Sequence, residues 1–197
     1  MSTTRTHVTF GPFSPEAASD APPWVDRGWA CRWVAPLKAA DTPLVVVYRC
    51  CFEIKESIIA RVHVTADERY ELFLDGRTQD RGPERGDPDN WFFETYDLPL
   101  TPGKHVLAAR VWSLGALAPW AQRRVSHGLL VAPQDEALLR LIGTGIVAGV
   151  GPGKTIDAAQ FLWQIESGEG ADWAPASAGE SGNDGFTLYP FRPAHRL

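Results

Sequence analysis

The chain has 197 residues, 44% of them apolar and 22% charged, and a net charge of −5. It is long enough to bury a substantial core in one large domain. The acidic balance argues against nucleic acid, which selects a basic stripe, and no apolar run of about 18 residues or more is present to cross a membrane as a helix.

Segment 1–28 reads as irregular, punctuated by Pro12, Pro15, Pro22 and Pro23. From Trp29 the pattern changes, and 29–197 is expected to form a single β-sandwich domain. In VVVYRCCFEI, residues Val46, Tyr48, Cys50, Phe52 and Ile54 share one face while Arg49 and Glu53 take the other. That is the alternation of a half-buried antiparallel strand. The run IIARVHVTA repeats it, with Ala60, Val62, Val64 and Ala66 inward and Arg61, His63 and Thr65 outward. Tyr70, Leu72 and Leu74 then alternate with Glu71, Phe73 and Asp75, ending on Asp75-Gly76, a strong hairpin signal.

The stretch 77–90 is polar, rich in Gly and Pro, and long for a simple hairpin, so it reads as a functional loop. Strands resume over 91–97 and 105–112 around the turn Thr101-Pro102-Gly103, and again over 128–132. Segment 138–142 reads as a strand, although the run from Asp135 also suits the start of a helix; 161–165 reads as a last strand. Several short strands with turn signals between them indicate an all-β, antiparallel jelly-roll sandwich.

Three cysteines are an odd number, and Cys50 and Cys51 are adjacent. Neighbouring side chains on a strand point to opposite faces, so these two should not bridge each other. The N-terminus MSTTRTHVTFGPFSPE lacks the apolar centre of a secretory signal. A reducing compartment, the cytoplasm, is the simplest expectation; a removed leader would make it secreted or periplasmic.

The run GTGIVAGVGPGKT (143–155) imitates two nucleotide motifs. Both require a helix or a glycine that is missing: Gly149, Gly151, Pro152 and Gly153 break any helix, and Ala148 stands at the first glycine of a phosphate loop. A plain loop is the preferred reading. Arg85-Gly86-Asp87 spells an adhesion tripeptide but reads as a turn. The five histidines are scattered, so no metal is expected, and His63 reads as a surface residue. Asp87, Asp89 and Asn90 are oxygen ligands at close spacing for calcium, without the ladder of a regular calcium loop. No cofactor is implied. Asp67, Asp75, Glu84, Asp89 and Asp97 supply carboxylates, but nothing pairs any two of them across a bond as glycoside hydrolysis needs. No catalytic residue is assigned.

Aromatics beside the polar stretch are the better lead. Eight tryptophans are many for this length, and Trp often keeps one flat face exposed. A sugar ring stacks its C–H face on Trp while its hydroxyls bond to Asp, Asn and Arg. Trp91 follows Asp89-Asn90, and Trp120 lies in a Pro-rich loop. Packing of both rings in the sandwich or against a neighbouring domain is the plainer alternative.

Between 65 and 122 the residues resemble the N-terminal β-sandwich region of bacterial α-L-rhamnosidases. The similar pieces are Ala66-Asp67 with Tyr70 and Leu72, Asp75-Gly76, Arg81-Gly82-Pro83 and Arg85, then Trp91, Tyr96-Asp97-Leu98, Gly103 and Val106-Leu107-Ala108-Ala109. Val111-Trp112 and Ala118-Pro119-Trp120-Ala121-Gln122 continue the likeness. The resemblance implies a galactose-binding-like jelly roll that is not catalytic, with the acid and base residues on a following (α/α)6 barrel. It makes this chain a fragment of a longer multidomain protein whose downstream catalytic domain is its partner. Three functions follow as expectations. The first is carbohydrate binding, of rhamnose-containing glycans, through Arg81, Arg85, Asp89, Trp91 and Trp120. The second is a scaffold that packs on the barrel without binding sugar. The third is a stand-alone saccharide-acting enzyme.

Overall fold

The structure, a computed structural model, describes residues 2–8, 31–35, 43–84, 86, 91–118, 127–144, 163–167, 174–175, 177–178 and 191–193. The strands are β1 (Thr4–Thr6), β2 (Val34–Ala35), β3 (Leu44–Ile54), β4 (Ile58–Ala66), β5 (Arg69–Leu74), β6 (Arg77–Gly82), β7 (Trp91–Leu100) and β8 (Gly103–Ser113). They continue with β9 (Leu129–Pro133), β10 (Trp163–Ser167), β11 (Ala174–Pro175), β12 (Ser177–Ala178) and β13 (Phe191–Pro193), and one short helix, α1 (Glu136–Ile142), follows β9. Among the described residues the strands form two sheets. One runs β1-β7-β4-β9-β2-β12 with β13 parallel to β7; the other runs β11-β10-β3-β8-β5-β6.

The alternation read from the sequence sets the core. Val46, Tyr48, Cys50 and Tyr70, Leu72 from the second sheet face Ala60, Val62, Val64, Tyr96 and Leu98 from the first, all fully buried. Each large apolar side chain removed from water stabilises the sandwich by about 1.5–3 kcal/mol before entropy is counted. Cys50 lies inside, donating toward the carbonyl of Leu141 at 3.3 Å, while Cys51 is exposed, so the adjacent thiols do point to opposite faces. Asp75 (φ 51°) and Gly76 (φ 74°) both adopt positive φ, the geometry of a tight type I′ hairpin joining β5 to β6.

Four expectations change. The polar stretch after Gly76 is not all loop: its first six residues are edge strand β6, which pairs with β5 from Leu74↔Arg77 to Tyr70↔Gly82. An edge strand needs few apolar residues, which is why RTQDRG does not read as one. Segment 136–142 is a helix, because the Asp135 carboxylate accepts from Ala137 N and Leu138 N and caps its first turn. Thr4–Thr6, inside the segment read as irregular, pairs with β7 and belongs to the sandwich. His63 is not on the surface but fully buried.

That last correction has a structural cause. The outer face of the first sheet is covered by a second apolar layer of Cys31, Trp33, Trp91, Phe93, Leu130 and Ala132, with Val8 and Leu139 packed against it. His63 sits within it, its Nδ1 2.9 Å from Thr95 Oγ1 and its ring edge-on to Phe93.

Candidate functional site

The two sheets meet along one open side, where β1 and β6 are their edge strands. Arg5 of β1 reaches across this seam. Its guanidinium forms a close ion pair with Glu94 and lies 3.5 Å from Asp80 and 4.0 Å from Glu84. Thr3 donates to Gln79 in a second bridge across the same seam. Beneath them Tyr70 and Tyr96, one from each sheet, join hydroxyl to hydroxyl at 2.8 Å, both fully buried. Glu94 faces inward on β7 beside Tyr96 and is only 2% exposed. Burial pushes its carboxyl up to about 7, against the opposing pull of Arg5, and the nearby Glu84 adds to the rise.

Above this seam opens a cleft of about 300 Å³. Arg5 and Glu94 form its floor with Tyr70; Gly82, Pro83 and Glu84 form one rim, and Arg69, Arg81 and Trp112 complete the wall. Trp112 is the half-buried aromatic of the group and stands on the outer face of β8, in register with Arg69 on β5 and Val45 on β3. Its backbone is held from behind. Glu68, at positive φ (71°), accepts from Ser113 Oγ and Leu114 N, both at 2.8 Å, which fixes the end of β8. Arg69 donates to the carbonyl of Pro83 at 2.5 Å, tying the rim to β5.

One row further along the same face, Glu71 accepts from Arg81 at 3.2 Å and from Arg110 in a close ion pair. Burial disfavours the charged carboxyl, but the hydrogen bonds from Arg110 and Arg81 outweigh it and hold Glu71 below the ordinary range. Arg110 also lies over the Phe73 ring, 5.8 Å from its centroid. Chemically the cleft is a binding surface: an aromatic wall, guanidinium donors and carboxylate acceptors around a shallow depression. Among the described residues no group of three or more His, Cys, Asp or Glu is placed to hold a metal ion.

Solved structures place this architecture among known folds. Over 85% of its length the chain is similar to 20% of the GH78 family rhamnosidase of Bacillus sp. GL1, with a TM-score of 0.63 and 22% identity. The region matched is that enzyme's N-terminal region. It is similar over 83% of its length to 22% of the α-L-rhamnosidase from Dictyoglumus thermophilum, at TM-score 0.50 and 15% identity. Over 85% of its length it is also similar to 47% of a lectin from Pleurotus ostreatus solved in complex with GalNAc, at TM-score 0.50 and 16% identity. What is shared is the fold. The chain spans about a fifth of the length of these rhamnosidases. No family model and no curated protein matches the sequence.

Of the residues singled out from the sequence, Arg81 lines the cleft. Trp91 does not: it lies on the outer face of the other sheet, 5% exposed, with Trp33 edge-on at 5.9 Å and its Nε1 donating to Thr65 Oγ1 at 3.1 Å. A ring enclosed in that way offers no face to a sugar, so the packing alternative holds for Trp91. Arg85, Asp89 and Trp120 lie outside the described residues, as do Asp87, Asn90 and 145–155 of the glycine-rich run. The cleft residues that sequence reading missed are Arg5, Arg69, Glu94 and Trp112. Only Trp112 carried a visible signal, as the outward neighbour of inward Val111.

Gly82 is the tightest point of the rim. A Cβ built there would lie 2.7 Å from the Tyr70 hydroxyl and 2.8 Å from Glu94 Cγ, both held in place by buried contacts. Gly82→Ala should therefore cost about 1–3 kcal/mol in denaturant unfolding, the usual cost of overpacking. An unchanged midpoint would mean that the floor of the cleft yields freely.

Proposed function

We propose that this chain is a non-catalytic carbohydrate-binding β-sandwich, an accessory domain of an α-L-rhamnosidase-like glycoside hydrolase, which takes a saccharide in the cleft above the sheet seam. The observation that carries the reading is Trp112 in the same cleft as Arg69, Arg81 and Glu84. A pyranose stacks its C–H face on such a ring while guanidinium and carboxylate groups bond to its hydroxyls. The volume sits at the lower end of the range of small-ligand sites, about 300–1,000 Å³. The fold supports it too, since sandwiches of this kind occur in rhamnosidases and in a lectin that holds GalNAc.

Binding suits the carboxylates better than hydrolysis does. Burial makes the Glu94 carboxyl a weaker acid, as a general acid requires, but it is nearly fully buried and locked to Arg5, so it does not present itself to a glycosidic oxygen. Calorimetric titration with L-rhamnose and with rhamnose-bearing and galactose-bearing oligosaccharides tests the reading. Saturable binding is expected, and Trp112→Ala should weaken it at least about tenfold, or about 1.4 kcal/mol. A flat titration with every saccharide to millimolar concentration overturns it.

A second reading, a scaffold that binds no sugar, is favoured by one feature. Val45, beside Trp112, is 54% exposed and Leu117 is 73% exposed, apolar surface suited to a neighbouring domain. It expects no saccharide binding, and protection of Trp112 from acrylamide quenching once a catalytic domain is joined to the chain.

A further inference from the structure

His105 closes the end of the sandwich away from the cleft. It stands at the start of β8 beside Phe52 of β3, on the core side of the sheet and only 8% exposed. The cleft lies at the other end of the same strands, around Arg69 at the start of β5 and Trp112 near the end of β8. Both nitrogens of the His105 ring meet oxygen. Nδ1 is 2.8 Å from Asp75 Oδ2, in the turn between β5 and β6, and Nε2 is 2.7 Å from the carbonyl of Thr101, in the turn between β7 and β8. Asp75 is also fixed to β8 directly. Val106 N donates to its Oδ1 at 2.8 Å, and its own N–H donates to the Val106 carbonyl at 2.9 Å.

A backbone carbonyl can only accept a hydrogen bond, and so can an ionised carboxylate. A neutral imidazole has one N–H and one lone pair, so it satisfies one of these oxygens and sets its lone pair against the other. Only the imidazolium donates to both. We infer that His105 is a proton-operated clasp: as imidazolium it ties the β5–β6 turn to the β7–β8 turn, and loss of its proton releases one of them and loosens this end of the sandwich. Asp75 is the charged group that meets the ring; Glu53, Lys55, Glu56, Arg77 and Lys104, on the adjoining positions, are exposed. Burial works against the charged ring, but the bonds to Thr101 and Asp75, with the Asp75 charge, outweigh it and raise His105 above its ordinary value. With the folded value above the unfolded one of about 6.5, the clasp contributes fully below that pH. Its contribution is lost as pH rises through the folded value.

Nitrogen NMR of the His105 ring in the full chain, followed from acid to alkaline pH, tests the inference without any sugar. Below about pH 6.5 both ring nitrogens should carry a proton, and the midpoint of the titration should lie above that value. Protection of the Asp75 and Val106 amides from hydrogen exchange should fall at least about tenfold across the same midpoint, as loss of a hydrogen bond to a charged group implies. Asp75→Asn, a residue that tolerates the positive φ at that position, should lower the midpoint. In His105→Gln the step in amide protection should vanish; should that variant not fold, the wild-type titration and Asp75→Asn still decide. A single protonated ring nitrogen in acid, a midpoint no higher than the ordinary value, or amide protection that ignores the ring's titration overturns the clasp.

Discussion

Trp91→Ala is expected to destabilise the protein by about 3–5 kcal/mol, the cost of emptying a buried Trp site. For a chain of this size that corresponds to a fall in Tm of roughly 6–20 °C. The ring anchors the layer outside the first sheet: Trp33 meets it edge-on, Phe93 and Leu130 belong to the same cluster, and its N–H bonds to Thr65. Truncation also leaves Thr65 Oγ1 without that donor, although Thr65 keeps its own bond to the carbonyl of Phe92 at 2.7 Å. Trp91→Phe should lie between, losing the hydrogen bond at about 1 kcal/mol and part of the volume. Guanidinium unfolding curves decide it. A loss below about 1 kcal/mol would show that the outer layer is not a core at all. Trp112→Ala should fall near that lower value, because its ring is half exposed.

The contrast between these tryptophans shows what was legible in the sequence. Strands β3, β4, β5 and β8 were plain because each puts apolar residues on one face at a period of two, and Asp75-Gly76 fixed the register of its hairpin. Such a pattern reports one buried face per sheet. It could not report that the first sheet buries both, since His63, Thr65 and Thr95 on that outer face are polar residues, with His63 Nδ1 bonded to Thr95 and Thr65 to the carbonyl of Phe92. Packing of Trp91 was therefore readable as the plainer alternative, but not the outer layer of Trp33, Phe93 and Leu130 that encloses it. The cleft was less legible still. Arg81 was picked out by its polar setting, yet its neighbours Arg5, Glu94 and Trp112 come from three other strands brought together by sheet order alone. Nothing local marks Arg5 as the bridge across the seam, or the glutamate of Phe93-Glu94-Thr95 as buried.

Acid should destabilise the protein through two histidines, with Glu94 working in the opposite direction. Burial lowers His63 to about 3, with Arg61 adding to the effect, and lowers His127 to about 4. Both lie below their unfolded value of about 6.5. Each therefore contributes stability that is present above pH 6.5 and is lost as pH falls toward the folded value, at about 1.4 kcal/mol per pH unit. Glu94 is raised to about 7 from 4.5, so its contribution is present below pH 4.5 and is lost as pH rises through 7. Between pH 6.5 and 4.5 the two histidines outweigh the one carboxyl, and stability should fall by roughly 1.4 kcal/mol for each unit of acidification. His127 is the cleaner probe. Its ring stacks on Tyr48 at 6.1 Å and neither ring nitrogen has a hydrogen-bond partner among the described residues, so His127→Phe removes a titrating group and none of the described bonds. That variant should match or exceed the wild type at pH 7 and flatten the slope between pH 6.5 and 4.5 to near zero. Glu94→Gln should steepen the same slope to about 2.7 kcal/mol per unit, because the opposing carboxyl is gone. Unfolding free energies at pH 7, 6, 5 and 4.5 give all three slopes. A His127→Phe slope equal to that of the wild type would mean that His127 reaches solvent, and that the wall of core around it is more open than the packing of Tyr48 indicates.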